Sequence, residues 1–73
     1  MSWMNWNDTP DSSNIARFRY NDEMSILEIE FKKGGAYQYF DVNEGVYEQM
    51  KVAASKGQYF ASNIKGVFRY ARV

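Results

Sequence analysis

Ser25-Ile-Leu-Glu-Ile-Glu-Phe31-Lys-Lys-Gly-Gly35-Ala-Tyr-Gln-Tyr39-Phe-Asp-Val42 is the stretch whose reading decides the fold. Leu27, Ile29 and Phe31 alternate with Glu28 and Glu30, the period of two that sends apolar and charged groups to opposite faces of a β-strand. Gly34 and Gly35 supply the positive φ that a tight hairpin needs, so Ala36 to Val42 reads as a second strand returning antiparallel to the first. Upstream, Asn14-Ile-Ala-Arg-Phe-Arg-Tyr20 also alternates and is followed by the turn residues Asn21-Asp22-Glu23, which adds a strand before this hairpin.

Downstream the period changes. Asn43 is placed to cap a helix, Glu44 suits its first turn, and Val46, Tyr47, Met50, Ala53 and Ala54 recur at helical spacing until Gly57. Tyr59, Phe60, Asn63, Ile64 and Val67 line one side of a second, shorter helix that Gly66 ends. Phe68-Arg-Tyr-Ala-Arg-Val73 alternates again, as an edge strand or a frayed end. The expected fold is therefore α+β: a small three-stranded antiparallel meander, with a fourth C-terminal strand as an option, packed by one longer and one short helix. Residues 1–13, MSWMNWNDTPDSS, show no periodicity and are rich in turn formers, so they read as a flexible N-terminal tail, with 14–73 as the single domain. Trp3, Met4 and Trp6 are out of place in a free tail and point to one that folds back or anchors a partner.

A chain of 73 residues is near the lower limit for one independent domain, where folding hides only about 60% of the unfolded surface. With no cysteine to form a disulfide, the core rests on aliphatic groups and on two Trp, six Tyr and five Phe. The absence of cysteine and of histidine removes the usual zinc, haem and iron-sulfur ligand sets and the Ser-His and Cys-His nucleophiles. No apolar run approaches the roughly 20 residues that cross a bilayer, and the N-terminus lacks signal-peptide character. The expectation is a cytoplasmic protein without metal, cofactor or membrane partner.

Which face carries Tyr37 and Tyr39 depends on register. Pairing Phe31 with Ala36 places the tyrosines beside Glu28 and Glu30 and buries Gln38. Pairing Phe31 with Tyr37, Ile29 with Tyr39 and Leu27 with Asp41 gives one strongly apolar face, and is preferred. A two-residue turn at Asp22-Glu23 sets Phe18 against Leu27 and Ala16 against Ile29, adding Tyr20 to that face. The other face then carries Ile15, Arg17, Arg19, Ile26, Glu28, Glu30, Gln38 and Phe40. Arg17 would pair with Glu28, and the apolar groups would be covered by the tail tryptophans, a second copy or a partner.

The net charge is zero, yet the five basic and no acidic groups of residues 49–73 make that third a basic segment. Lys51, Lys56, Lys65, Arg69 and Arg72 are the candidate phosphate contacts of a nucleic-acid-binding module, with Phe68 and Tyr70 as stacking rings. Solvated surface charge is the plainer account of the same residues. A protein-interaction or homodimer module is the alternative, and salt dependence separates the two. An enzymatic reading would pair Asp41 with Glu44, or activate a tyrosine through Lys65; scattered carboxylates on a small surface are ordinary, and no catalytic residue is assigned.

Ser12-Ser13-Asn14-Ile15, Tyr37-Gln38-Tyr39, Val46-Tyr47, Ala54-Ser55-Lys56-Gly57, Tyr59-Phe60 and Ile64-Lys65, in this order and spacing, resemble the KTSC domain family over about Ser12 to Tyr70. That family is a short domain found alone in bacterial and phage proteins and fused to the C-terminus of some lysyl-tRNA synthetases. The resemblance implies packing roles for Tyr37, Tyr39, Tyr47, Gly57 and Phe60, and a link to RNA through the synthetase fusion. The chain departs from the pattern at Asn43, where a proline is common, and at Ala61, where an asparagine is common.

Overall fold

The computed structural model describes residues 3–73. The chain forms strands β1 (Asn7–Asp8), β2 (Ile15–Asn21), β3 (Ile26–Phe31) and β4 (Ala36–Tyr39), helices α1 (Glu44–Val52) and α2 (Lys56–Asn63), and strand β5 (Tyr70–Arg72). The strands make one antiparallel sheet in sequence order, β1-β2-β3-β4-β5. The α+β class is as expected, but the sheet has five strands rather than three or four.

Register departs from expectation by two residues in both hairpins. Leu27 pairs with Tyr39 and Ile29 with Tyr37, because the β3–β4 loop closes at Gly35, whose carbonyl accepts from Phe31 N–H. Gly34 and Gly35 both adopt positive φ, at 103° and 87°, a conformation that L side chains resist. In the first hairpin Tyr20 pairs with Leu27 and Phe18 with Ile29, so Arg17 meets Glu30 and Arg19 meets Glu28, not Arg17 with Glu28. A shift of two leaves every side chain on its original face, so Tyr37 and Tyr39 lie with Leu27, Ile29 and Phe31 as preferred. Ile15 is the exception: a bulge between Ile15 and Arg17 turns it inward, where it is fully buried, while Ala16 is only half-buried.

The inner face and the two helices enclose Ile15, Phe18, Tyr20, Leu27, Ile29, Tyr39, Val42, Tyr47, Met50, Phe60 and Ile64. Asn43 caps α1, its Oδ1 accepting from Val46 N–H at 3.1 Å. This helix stops at Ala53, before Gly57, because Ser55 opens α2 by accepting from Gln58 N–H at 3.2 Å. Gly57 therefore lies inside the first turn of α2. A Cβ there would sit 2.8 Å from Asn14 Oδ1, so glycine is what lets α2 pack against the Ser12–Asn14 turn. The helix ends at Asn63 and leaves Val67 62% exposed, outside the apolar side assigned to it.

Residues 3–13, read from the sequence as part of a tail, lie along the sheet. Asn7 and Asp8 pair with Phe18 and Arg17, Trp3 bridges to Asn21, and Thr9 is buried with its hydroxyl donating to the Ile15 carbonyl at 2.6 Å. On the outer face the Arg17 guanidinium lies 4.0 Å from the Trp6 ring, and Arg19 lies 4.2 Å from Trp3 and 4.4 Å from Trp6. Both arginines also pair with Glu30 and Glu28, so indole and carboxylate hold each guanidinium from two sides. The expectation that something must cover this face is met by the chain's own N-terminal segment. Met1 and Ser2 lie outside the described residues.

Candidate functional site

The β3–β4 hairpin, β5 and the end of α2 leave a cleft of about 420 Å³ between them, lined by Asn14, Phe31, Lys33, Gly34, Tyr37, Tyr39, Phe60, Lys65, Gly66 and Tyr70. Local structure explains each wall. Parity places Phe31, Tyr37 and Tyr39 on the inner face, and β5 pairs Tyr70 directly with Tyr39 on that same face. The helix brings Phe60 against Phe31 and Tyr39, with ring centroids 5.6 Å apart in both cases and near-perpendicular planes. Tyr70 rests against Tyr37 at 5.8 Å and Tyr39 at 5.6 Å, yet is 61% exposed because β5 is a short edge strand. Lys33 from the hairpin loop and Lys65 from beyond α2 are the charged groups of the lining, which contains no carboxylate.

The hydroxyls divide the six tyrosines. Tyr20 donates to the Val42 carbonyl at 2.5 Å, Tyr47 accepts from Asn7 Nδ2 at 2.8 Å, and Tyr59 donates to Gln49 Oε1 at 3.1 Å. Among the described residues none bonds to the hydroxyl of Tyr37, Tyr39 or Tyr70, and all three line the cleft. Burial lifts the Tyr39 phenol above its ordinary pKa, and the neighbouring Tyr70 and Tyr37 add to the shift. At neutral pH this hydroxyl is protonated, the opposite of a tyrosine activated by Lys65.

The candidate phosphate contacts and stacking rings are spread over several parts of the surface. Lys65 and Tyr70 meet in the cleft, and Arg72 stands at its edge, paired across the sheet with Tyr37 and with its guanidinium 5.9 Å from that ring. Lys51 pairs with Glu48 and sits over Tyr47, against the β1–β2 side of the core. Lys56 donates to the Ala53 carbonyl at 3.0 Å and lines a separate hollow that also contains Asp8 and Asp11. Arg69 pairs with Asp41 at 2.7 Å, so that carboxylate is an exposed ion-pair partner rather than the partner of Glu44. Phe68 packs against the core and is not part of the cleft lining. Tyr47 and Phe60 are core residues at 2% and 5% exposure, while Tyr37 and Tyr39 pack and also face the cleft. Lys33 was missed because Lys-Lys-Gly-Gly reads simply as a turn; the sole hint was a second lysine where one polar residue would do.

No helix among the described residues is long and apolar enough to cross a membrane, and they hold no cluster of three or more metal-ligating side chains. The KTSC domain model matches residues 11–68. A lysine–tRNA ligase of Trichormus variabilis is 42% identical over 64 residues, covering 88% of this chain but 11% of the ligase. A ligase of Nostoc punctiforme is 41% identical over the same length and shares. The chain thus spans about a ninth of the ligases it matches. The crystal structure of a KTSC domain protein from Yersinia pestis superposes with a TM-score of 0.89 at 33% identity, covering 94% of this chain and 96% of that one. Shared sequence across most of the chain, and shared architecture across nearly all of it, place this protein in the KTSC domain family.

Proposed function

We propose that the domain is a small non-catalytic binding module of the cytoplasm whose ligand is single-stranded RNA, held in the cleft between β4, β5 and α2. The observation that carries this is the convergence of five aromatic rings with Lys33 and Lys65 on a concavity that has no carboxylate in its lining. Unpaired bases stack on such rings and phosphates meet such lysines. The matched ligases act, by their name, on a tRNA, which favours RNA over other anionic ligands. A non-catalytic role accords with a sequence lacking histidine and cysteine and with a cleft tyrosine held in its neutral form.

A two-dimensional amide NMR titration with bulk tRNA and a mixed single-stranded RNA, at low and at physiological salt, tests this reading. Salt-sensitive shifts at Lys33, Tyr37, Tyr39, Lys65 and Tyr70 are the expected result, and no shifts at low salt would end it. Self-association is the second reading. It is favoured by β5, an edge strand exposed at every residue and flanked by exposed Val67 and Val73. A sedimentation mass that rises with protein concentration, together with an RNA titration that stays flat, would move the assignment there.

A further inference from the structure

The three tyrosine hydroxyls without a protein partner among the described residues are the three that line the cleft. Tyr39 is the informative one, since the residue is only 5% exposed. Every enclosed side-chain nitrogen or oxygen among the described residues has a hydrogen-bond partner. The Tyr39 oxygen has none, so it is not enclosed, and the cleft is the opening available to it. Its phenol is neutral, so it has one proton to donate and lone pairs to accept with. A ligand that fills the cleft without a polar edge would strand this hydroxyl, whereas one with a matching edge would replace the water there. The exposed Tyr70 ring offers a flat face beside it, and the volume of about 420 Å³ falls toward the small end of the roughly 300–1,000 Å³ typical of ligand pockets. That space suits one nucleotide. A duplex keeps its base faces stacked and is read by shape across about 16 base pairs, which a concave site with two lysines in its lining does not match.

We infer that the cleft takes one unpaired nucleotide of an RNA strand, stacked on Tyr70 and read at its base edge by the Tyr39 hydroxyl, with Lys33 and Lys65 on the flanking phosphates. This rests on the single-stranded RNA reading above and adds one-nucleotide occupancy and base discrimination to it. Two phosphate contacts predict a log–log salt slope of about −1.4, at about −0.7 per contact for single strands.

The test is fluorescence anisotropy with labelled oligo-U, oligo-A and oligo-C and a blunt RNA duplex, using the wild type, Tyr39→Phe and the double variant Lys33→Ala/Lys65→Ala. The wild type should separate the best and worst homopolymer by about 5-fold or more, the factor attached to one net hydrogen bond, and bind the duplex weakest. Tyr39→Phe, with an unchanged amide spectrum away from the cleft, should bind all three homopolymers alike and keep the salt slope. The lysine variant should keep the base preference and lose the slope. A base preference that survives in Tyr39→Phe, a wild type without preference, or a duplex bound as tightly as the single strands would overturn the inference. If the homopolymers still shift cleft resonances in the first two cases, RNA binding stands and only the base reading falls; equal binding of duplex also removes the single-strand preference, and if none binds at low salt, both readings fall.

Discussion

The two ends of this small core use the same residue type for opposite purposes. Where β1 and β2 meet α1, Tyr20 and Tyr47 stack with ring centroids 5.0 Å apart, Phe18 abuts Tyr47 edge-on, and both hydroxyls are bonded inside the protein. Where β4 and β5 meet the end of α2, Tyr37, Tyr39 and Tyr70 cluster as closely, yet their hydroxyls have no protein partner among the described residues and the rings border an open cleft. A polar group left over from packing is available for a ligand, while one that is satisfied adds stability alone. On the proposed function, the first cluster serves stability and the second serves recognition.

Truncating the closed cluster should do the most damage. Tyr47→Ala removes a ring that is 2% exposed and touches both Phe18 and Tyr20, so urea unfolding should show a loss of about 3–5 kcal/mol, the range for large aromatic deletions. In a domain of this size such a loss approaches the whole stability. If Tyr70→Ala proves equally costly, the division between the clusters is wrong.

Hydroxyl deletion sharpens the contrast without disturbing shape. Tyr20→Phe leaves the Val42 carbonyl without its 2.5 Å donor inside the core and should cost about 1–3 kcal/mol. Tyr39→Phe removes a hydroxyl that no described residue bonds and should be neutral to urea midpoint. Equal losses in the two variants would mean that the Tyr39 hydroxyl is structural after all.

The exposed ring comes next. Tyr70→Ala should stay within about 0.5 kcal/mol of the wild type, as for surface changes elsewhere, while abolishing RNA-induced shifts in the cleft. The smallest effect concerns alkaline pH. Because the folded state holds the Tyr39 proton more tightly than the unfolded chain, this group's stabilising effect is full below the ordinary tyrosine pKa of about 10. It falls as pH rises beyond that value, since the unfolded state then sheds its proton first. Urea midpoints across the alkaline range should decline more steeply in the wild type than in Tyr39→Phe, with other tyrosines contributing equally to both.

Much of this fold was legible because a period of two is robust to small errors. Leu27, Ile29, Phe31, Tyr37 and Tyr39 share a face whether the hairpin closes where expected or two residues earlier. Ile15 escaped because a bulge is an odd shift, and nothing in Asn14-Ile-Ala-Arg announces one. Two capping residues close together obscured the helices: Gly57 resembles a stop, but Ser55 starts a new helix two residues before it. The short strand β1 is polar and carries no alternation, so only Trp3 and Trp6 signalled that the segment belongs to the sheet.

The sequence by itself determined the element types, the inner face of the meander, the aromatic rather than disulfide basis of the core, and kinship with the KTSC family. Those properties depend on local periodicity, composition and ordered motifs. Only the tertiary structure decided that Lys65 and Tyr70 join Lys33, Tyr37 and Tyr39 in one cleft while Lys51, Lys56 and Arg69 are dispersed among other partners. The physical reason is that charge along a chain says nothing of direction in space. Strand pairing and helix packing bring residues as distant in sequence as Asn14 and Tyr70 around one cavity, where the hydroxyls of Tyr37, Tyr39 and Tyr70 have no partner among the described residues.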